Sequence, residues 1–258
     1  YTLSLHDALP ISSARLDREK FPRLEFLVTV TDSGVPALGA NCTVIVNITD
    51  ANDNNPVFTE AVYFSTVNEN SANNTSVVQV MANDIDSGIN GMVLYSLETQ
   101  PRSVPFSIDP NTGLVSSSGL IDFEAQSLYL VNVVASDGGG RFDKSILNIS
   151  VVDENDNYPV INPTTYNVSV FENLTINDAI VTVLAKDNDS GIFSQVNFAF
   201  SNGNNDGIFF ISSSSGVITL IKPLDRETKD FHRLEVQVMD GGGLKSKNSA
   251  VVEVDRKS

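Results

Sequence analysis

Asp50-Ala51-Asn52-Asp53-Asn54 returns as Asp153-Glu154-Asn155-Asp156-Asn157, and acidic residues around both copies recur at one interval. Glu69 corresponds to Glu172, Asp84 to Asp187, Asp86 to Asp189, Asp122 to Asp225 and Asp137 to Asp240, always 103 residues on (for example, 172 − 69). Loops drift in length between copies of a fold, so a constant interval across separate positions means that one structural unit is reused. Its carboxylates are placed by geometry rather than by general acidity. Clustered carboxylate and Asn oxygens, with almost no Cys or His nearby, suit a hard cation and above all Ca²⁺.

A chain of 258 residues holds two such units and a remainder. It is 41% hydrophobic, has no Trp, and contains no apolar run long enough to cross a bilayer. Against 32 Asp and Glu stand 16 Lys and Arg, a net charge of −16. That balance argues against nucleic acid as a partner and against charge-driven binding to an anionic membrane. The acids sit in short motifs between apolar stretches, which a merely solubilising surface would not require. One Cys excludes an internal disulfide framework and a Cys-based metal site. Cys42 is in phase with Val44, Val46 and Ile48 and reads as a buried thiol. Glycosylation triplets begin at Asn41, Asn47, Asn73, Asn148, Asn167 and Asn173. Several fall on the outward phase of predicted strands, compatible with an extracellular protein.

The structural signal is period two. Leu24, Phe26, Val28 and Val30 alternate with Glu25, Leu27 and Thr29, and similar short runs follow to Ala250–Val254, separated by turn clusters. No long stretch carries helical periodicity. The pattern predicts an all-β chain of tandem Greek-key β-sandwiches, immunoglobulin-like in type. Asn55-Pro56 and Tyr158-Pro159 interrupt it directly after each Asp-x-Asn-Asp-Asn. Pro fixes φ and pushes its predecessor to an extended conformation, so each connection should be short and extended. The expected organisation is 55–157 as a complete unit and 158–258 as a unit cut at its C-terminal linker. Residues 12–54 are the C-terminal part of an earlier unit, too little to close a sandwich. Residues 1–11 match nothing in the repeats, lack the pattern of a signal peptide, resemble translated adaptor sequence, and are set aside as a non-native leader.

In motif order the chain resembles the cadherin superfamily. Its repeats carry x-Glu-x (Asn68-Glu69-Asn70, Phe171-Glu172-Asn173), Asp-x-Asp (Asp84-Ile85-Asp86, Asp187-Asn188-Asp189) and Leu-Asp-Arg-Glu. The last appears as Leu16-Asp17-Arg18-Glu19, Ile121-Asp122-Phe123-Glu124 and Leu224-Asp225-Arg226-Glu227; a later Ala-x-Asp and the closing Asp-x-Asn-Asp-Asn complete the set. The resemblance covers residues 12 to about 254 and implies Ca²⁺ sites shared by successive repeats, three ions per complete junction. At the first junction it implies side chains of Asp17, Glu19, Asp50, Asn52, Asp53, Asp84, Asp86 and Asp137, with carbonyls from Ala51, Asn54 and Asn90. At the second it implies Glu69, Asp122, Glu124, Asp153, Asn155, Asp156, Asp187, Asp189 and Asp240, with carbonyls from Glu154 and Asn157. Glu172, Asp225 and Glu227 begin a third junction with no closing motif after them. Eight carboxylates at the second junction against three divalent ions leave two negative charges, so metal should turn a jointed chain into a stiff rod.

Blander readings remain for single residues. Paired carboxylates could be a glycosidase acid and nucleophile, but the same pairs recur in each unit among linker acids that would draw in metal. His232 reads as a solvated surface His, Asp137-Gly138-Gly139-Gly140 and Asp240-Gly241-Gly242-Gly243 as turns, and Asn202–Asn205 as an exposed loop tip. Phe58, Tyr63, Phe106, Phe200, Phe209 and Phe210 read as core and edge packing. The resemblance implies calcium-dependent cell–cell adhesion through another cadherin on an apposed cell. The parent would be a single-pass glycoprotein of the plasma membrane with these repeats on its extracellular side. The alternative is a set of structural spacer repeats that set reach while others recognise; an enzyme is not expected.

Overall fold

The computed structural model describes residues 15–98, 103–171, 174–224 and 229–257. The expected leader at 1–11 and the third acid set, Glu172, Asp225 and Glu227, lie outside them. Alternating β-branched and aromatic runs between Gly, Asn and Pro punctuation give strands throughout, and the described residues contain no helix. In the N-terminal part, β1 (Arg23–Thr31) pairs antiparallel with β2 (Gly39–Asn47), Leu24 opposite Val46 and Val28 opposite Cys42. The next nine strands are β3 (Val57–Phe58), β4 (Val62–Asn68), β5 (Ser76–Gln79), β6 (Ala82–Asn83), β7 (Leu94–Glu98), β8 (Phe106–Ile108), β9 (Leu114–Ser117), β10 (Leu128–Ser136) and β11 (Phe142–Val152). They form sheets in the orders β4-β11-β10-β7, β5-β9-β8 and β3-β6.

A second set repeats this arrangement. It comprises β12 (Val160–Ile161), β13 (Thr165–Phe171), β14 (Ala179–Thr182), β15 (Ala185–Lys186), β16 (Asn197–Asn202), β17 (Phe209–Ile211), β18 (Val217–Leu220), β19 (Phe231–Met239) and β20 (Ala250–Lys257). The sheet orders are β13-β20-β19-β16, β14-β18-β17 and β12-β15. In most pairs the two strands start 103 residues apart (β4 and β13 at 62 and 165, β9 and β18 at 114 and 217). The interval of the acids is therefore the interval of the fold. Neighbours distant in sequence, such as β13 running parallel to β20, supply the crossover of a Greek-key sandwich.

Along β10, Val131, Val133 and Ala135 are buried, and β11 answers with Leu147 and Ile149. In the second sandwich Leu234, Val236 and Val238 of β19 meet Val252 and Val254 of β20, Phe209 and Ile218 in one core. Each fully buried Val, Leu or Ile contributes about 1.5–3 kcal/mol relative to an exposed one. Of the aromatic residues, Phe58, Tyr63, Phe106 and Phe209 are in the core, Phe200 packs at its margin, and Phe210 is exposed.

Two expectations are corrected. Cys42 is exposed, because β1 and β2 form a two-stranded ribbon with no opposing sheet among the described residues, so its apolar phase meets solvent. Phe26, Val28 and Val30 on the same ribbon are 43%, 40% and 55% exposed. His232 is buried, only 2% exposed, since it shares the inward phase of Leu234 and Val236. It packs edge-on against Phe209, ring centroids 5.1 Å apart. Burial holds its pKa below the usual His range, the Lys229 charge adds to this, and Asp206 opposes it. The Asn-rich loop is also more structured than a free tip: Asn204 donates from Nδ2 to Phe209 O (2.8 Å) and accepts from Phe209 N at Oδ1 (3.1 Å).

By internal contacts the chain forms two compact units. One contains residues up to Val67, Ser71–Leu120 and Leu128–Ser150. The other contains Asn68–Asn70, Ile121–Ser127 and everything from Val151 onward. The short segments bearing Glu69, Asp122 and Glu124 thus belong with the C-terminal strands.

Hydrogen exchange should be fast throughout β1 and β2 and slow in β10 and β11, since an uncovered ribbon opens locally at little cost; equal protection would contradict this. His232 stays neutral in the fold, so its contribution to stability is complete above the unfolded pKa of about 6.5 and is lost as pH falls towards the lower folded value. Denaturant melts of wild type and His232→Leu should therefore differ in pH dependence below about pH 6.5, with the wild type losing more.

Candidate metal centres

In the C-terminal unit, acids from five short segments converge. Glu69, at the end of β4, is 1% exposed. Its Oε2 accepts from Phe123 N (2.9 Å) and its Oε1 from Glu154 N (2.7 Å), tying three segments to one carboxylate. Asp122 Oδ1 caps the turn through Ala125 N (2.9 Å). Asp153 Oδ2 accepts from Ser190 N (2.9 Å) and Oγ (2.8 Å). Asp187 Oδ1 accepts from Asp189 N (3.0 Å), and Asp189 Oδ1 from Asn157 Nδ2 (2.7 Å). Asp240 Oδ1 accepts from the backbone of Gly242, Gly243 and Leu244 at 2.8, 2.5 and 2.9 Å. Asp122, Asp153, Asp187, Asp189 and Asp240 are each held through one oxygen, which fixes where the other points, while Glu69 is held through both.

Ligand oxygens of Glu69, Asp122 and Glu124 lie within 4.8 Å of one another, and so do those of Glu124, Asp153 and Asp189 and those of Asp187, Asp189 and Asp240. Glu124 joins the first trio to the second and Asp189 joins the second to the third. The mutual repulsion is visible in protonation. Partial burial pushes Glu124 up to about 7, with the charges of Glu69, Asp156 and Asp189 adding to the shift. Burial, then the charges of Asp189 and Asp240, also raises Asp187.

The N-terminal unit holds a related cluster. Oxygens of Glu19, Asp50 and Asp86 lie within 4.8 Å of one another. Asp84 Oδ1 accepts from Asp86 N (2.9 Å), Asp137 Oδ1 from Gly139 N (2.8 Å), and Asp86 Oδ1 from Asn54 Nδ2 (2.6 Å). Asn90, expected for its carbonyl, donates from Nδ2 to Asp50 Oδ2 (2.9 Å). Asp17 turns instead to Lys20, Nζ to Oδ2 2.5 Å, and that hydrogen bond holds its pKa low. Arg18 Nη1 lies 3.1 Å from Asp50 Oδ1. Burial works to raise Asp50, but hydrogen bonds from Asn90 and Ser87 and the Arg18 charge outweigh it and leave the pKa lowered. The second cluster has Phe123 at the place of Arg18 and so lacks that cation.

Hydrogen bonding tests the fit to a cation. Asn52 Oδ1, Asp84 Oδ2, Asp137 Oδ2, Asp153 Oδ1 and Asp187 Oδ2 are buried with no hydrogen-bond partner. Among the described residues the sole other such side-chain atom is His232 Nδ1. A buried orphan of this kind costs about 1–3 kcal/mol or more when charged, unless something unseen satisfies it. Asn155 sharpens the point: its side-chain oxygen lies 2.8 Å from Asp189 Oδ2 and 3.1 Å from Asp240 Oδ2. Three acceptors meet there without a proton. Rotating the amide would supply one; a cation would hold the oxygen where it stands. All-oxygen surroundings with backbone-braced carboxylates fit a hard divalent ion.

Asp53 and Asp156 fall in none of the tight trios; Asp156 Oδ2 instead accepts from Asn70 Nδ2 (2.5 Å) and Asp53 Oδ1 from Asn54 Nδ2 (2.8 Å). The Glu154 carbonyl, an expected ligand, accepts from Asp156 N (2.9 Å), and the Asn52 carbonyl from Arg141 Nε (3.0 Å). Sequence reasoning missed the part played by Gly139 and Gly242. A Cβ at either would occupy the space of the Asn52 or Asn155 amide, so the triple-Gly turn admits the linker Asn to its cluster. The pairing of Asp-Gly-Gly-Gly with each Asp-x-Asn-Asp-Asn was the available signal.

The Cadherin domain model matches residues 63–152 and 166–255. Human Protocadherin-23 is 38% identical over 251 residues, 95% of this chain but 7% of that protein. Human Protocadherin Fat 4 is 37% identical over 89% of this chain and 5% of its own length, and Drosophila melanogaster Protein dachsous 36% over 93% and 7%. The chain thus spans a small fraction of the curated relatives it matches. Among solved structures, mouse Cadherin-23 EC22-24 superposes with a TM-score of 0.85 at 30% identity, covering 95% of this chain and 77% of that one. The human Desmocollin-1 ectodomain gives 0.70 at 27%, covering 95% and 50%. These are tandem β-sandwich repeats of protocadherin- and Fat-like proteins, not enzymes, and the carboxylate pairs need no glycosidase chemistry. With both sandwiches matched and the acid motifs in register, the chain belongs to the cadherin family.

Proposed function

We propose that both acid clusters bind Ca²⁺ and that the ions restrain the joint between successive cadherin repeats of an adhesion ectodomain. The observation that carries this is the set of five buried, partnerless oxygens, all within the two clusters. At the C-terminal cluster Glu69, Asp122, Glu124, Asp153, Asn155, Asp156, Asp187, Asp189 and Asp240 would hold the ions, with carbonyls of Glu154 and Asn157. At the N-terminal cluster Glu19, Asp50, Asn52, Asp53, Asp84, Asp86 and Asp137 would do so, with Asp17 released from Lys20 and carbonyls of Ala51, Asn54 and Asn90. Glu172, Asp225 and Glu227 would open a third set. Bound Ca²⁺ supplies the positive charge that lets neighbouring carboxylates stay ionised; at separations near 5 Å each unscreened pair repels by about 3 kcal/mol at an effective dielectric of about 20. The repeats would run over 55–157 and 158–258, after the end of a preceding one at 12–54.

On this reading the parent is a membrane-anchored protein that presents these repeats outside the cell and meets another cadherin. Among the described residues no helix is long and apolar enough to cross a membrane. A spacer role is favoured by one specific fact: these relatives match this chain over 5–7% of their own length, so a similar segment sits within chains many times longer. Bead aggregation with a longer ectodomain, with and without these repeats and with and without Ca²⁺, separates the two.

Calorimetric titration of the chain with Ca²⁺ should show tight binding, and chelation should lower its melting temperature and broaden its small-angle scattering ensemble. Asp189→Ala, which removes a carboxylate from two trios at once, should weaken binding by at least roughly tenfold, the scale on which even supporting residues act at metal sites. An unaltered isotherm in this variant, with a chelation-insensitive melt, would sink the assignment. Protons compete with the metal at Glu124, pushed up to about 7, so Ca²⁺ binding should release protons and weaken as pH falls from about 8 to about 6. Glu124→Gln should flatten that dependence; identical pH profiles would rule Glu124 out as the competing group.

A further inference from the structure

We infer that Asn148 carries an N-linked glycan and that the glycan covers the outer face of the β4-β11-β10-β7 sheet. Leu147 and Ile149 on β11 are 0% exposed, so Ile146, Asn148 and Ser150 point away from the core. The triplet Asn148-Ile149-Ser150 therefore lays its Asn and Ser on one outward face. Leu130 stands directly opposite Asn148, Leu128 opposite Ser150 and Asn132 opposite Ile146. Leu130 is 66% exposed, Leu128 45% and Ile146 43%. On β4, which adjoins β11, Phe64 alternates with buried Tyr63 and is 73% exposed. Asn148 thus lies amid four large apolar side chains, and it makes no side-chain hydrogen bond among the described residues.

The second sandwich provides an internal comparison. By strand pairing Leu130 becomes Arg233, its partner Asn148 becomes Glu253, Ser150 becomes Asp255 and Ile146 becomes Val251. There Arg233 lies 3.4 Å from Glu235 and 4.0 Å from Glu253, so charge solvates the face. Phe64 becomes Asn167, which heads a triplet on the edge strand β13. A sheet face that presents Leu, Leu, Ile and Phe to water is unusual in a secreted domain, and such patches are normally covered. Here the cover is encoded at its centre: the hydrocarbon faces of the first sugar rings lie over the apolar side chains while their hydroxyls meet solvent.

The modification rests on the extracellular reading above, which brings the chain through the secretory pathway. The donor is an oligosaccharide on a lipid pyrophosphate. Asn148 Nδ2 forms a bond to the anomeric carbon, the carbon–oxygen bond to the pyrophosphate breaks, the lipid pyrophosphate leaves with the electron pair, and Nδ2 loses one proton. No oxidant or reductant takes part. Transfer occurs on the extended chain, before β11 is paired.

The test is glycopeptide mass spectrometry on the whole chain secreted from animal cells, beside Ser150→Ala and the double variant Asn73→Gln/Asn74→Gln, since Asn74-Thr75-Ser76 overlaps the Asn73 triplet. Asn73 occupies an exposed turn remote in sequence from this face and serves as the control. Asn148 should be occupied; Ser150→Ala should lose that glycan and gain hydrophobic-dye fluorescence or self-association, whereas the Asn73/Asn74 double variant should lose any glycan of that turn without either gain. If Ser150→Ala is not secreted, trimming the folded wild type with an endoglycosidase asks the same question. Occupancy at Asn73 with Asn148 bare overturns the inference and leaves the extracellular reading intact; a properly secreted chain with every triplet bare overturns both. An occupied Asn148 whose loss changes neither dye binding nor association overturns the covering role, and a dimer formed through Leu130 by unmodified chains assigns the face to a second copy.

Discussion

Oxygen crowding without protons governs this molecule. In each cluster most carboxylates, among them Asp84, Asp137, Asp153, Asp187 and Asp240, have one oxygen held by backbone N–H groups, so the fold determines where the other oxygen points. Asp187 shows the logic: Oδ1 is held by Asp189 N, while Oδ2 is buried with nothing to accept from. Such an arrangement is expensive as it stands and would be favourable around a divalent ion, so on the proposed reading the cost of burying the acids becomes a demand for metal. The sandwich cores are built from apolar side chains, chiefly Leu, Val, Ile, Phe and Tyr, and no carboxylate is needed to close them. Separating what stabilises the sandwich from what orders its ends allows an ion to act on one without the other.

The two clusters are not electrostatic equals. Arg18 partly neutralises the first, and Asp50 is held low; the second has Phe123 in that place, and Glu124 and Asp187 are pushed up. A built-in guanidinium softens the repulsion in the first cluster, so on the proposed reading the second would depend more heavily on an external cation. The substitution spares both flanking acids, Asp122 and Glu124, which keeps the ligand set while altering the charge around it.

Much of this was legible in the chain. Period-two runs located the long strands, and the constant spacing of acids proved to be the spacing of strands as well, β9 to β18 matching Asp122 to Asp225. What stayed hidden depended on partners that periodicity does not name. Cys42 has the phase of a core residue, yet a two-stranded ribbon offers no second sheet to bury it. His232 has the phase of a core residue too, and its position beside buried Leu234, rather than its polarity, decides its burial. The short strands β3, β6, β12 and β15, of two residues each, leave no periodic trace at all.

Gly139 and Gly242 show why composition alone undersells such sites. Both look like ordinary turn residues, and Asp137 and Asp240 do use the turn, each accepting backbone N–H bonds through Oδ1. The missing side chain has a second effect, because it leaves room for the amide of Asn52 or Asn155 beside the cluster. A methyl group there would displace the Asn amide and leave the carboxylates untouched, and on the proposed reading it would lower the coordination number without changing charge. Since Ca²⁺ tolerates irregular geometry but needs six to eight oxygens, the two glycines would bear on a calcium site here as directly as any of its acids, through the space they leave open.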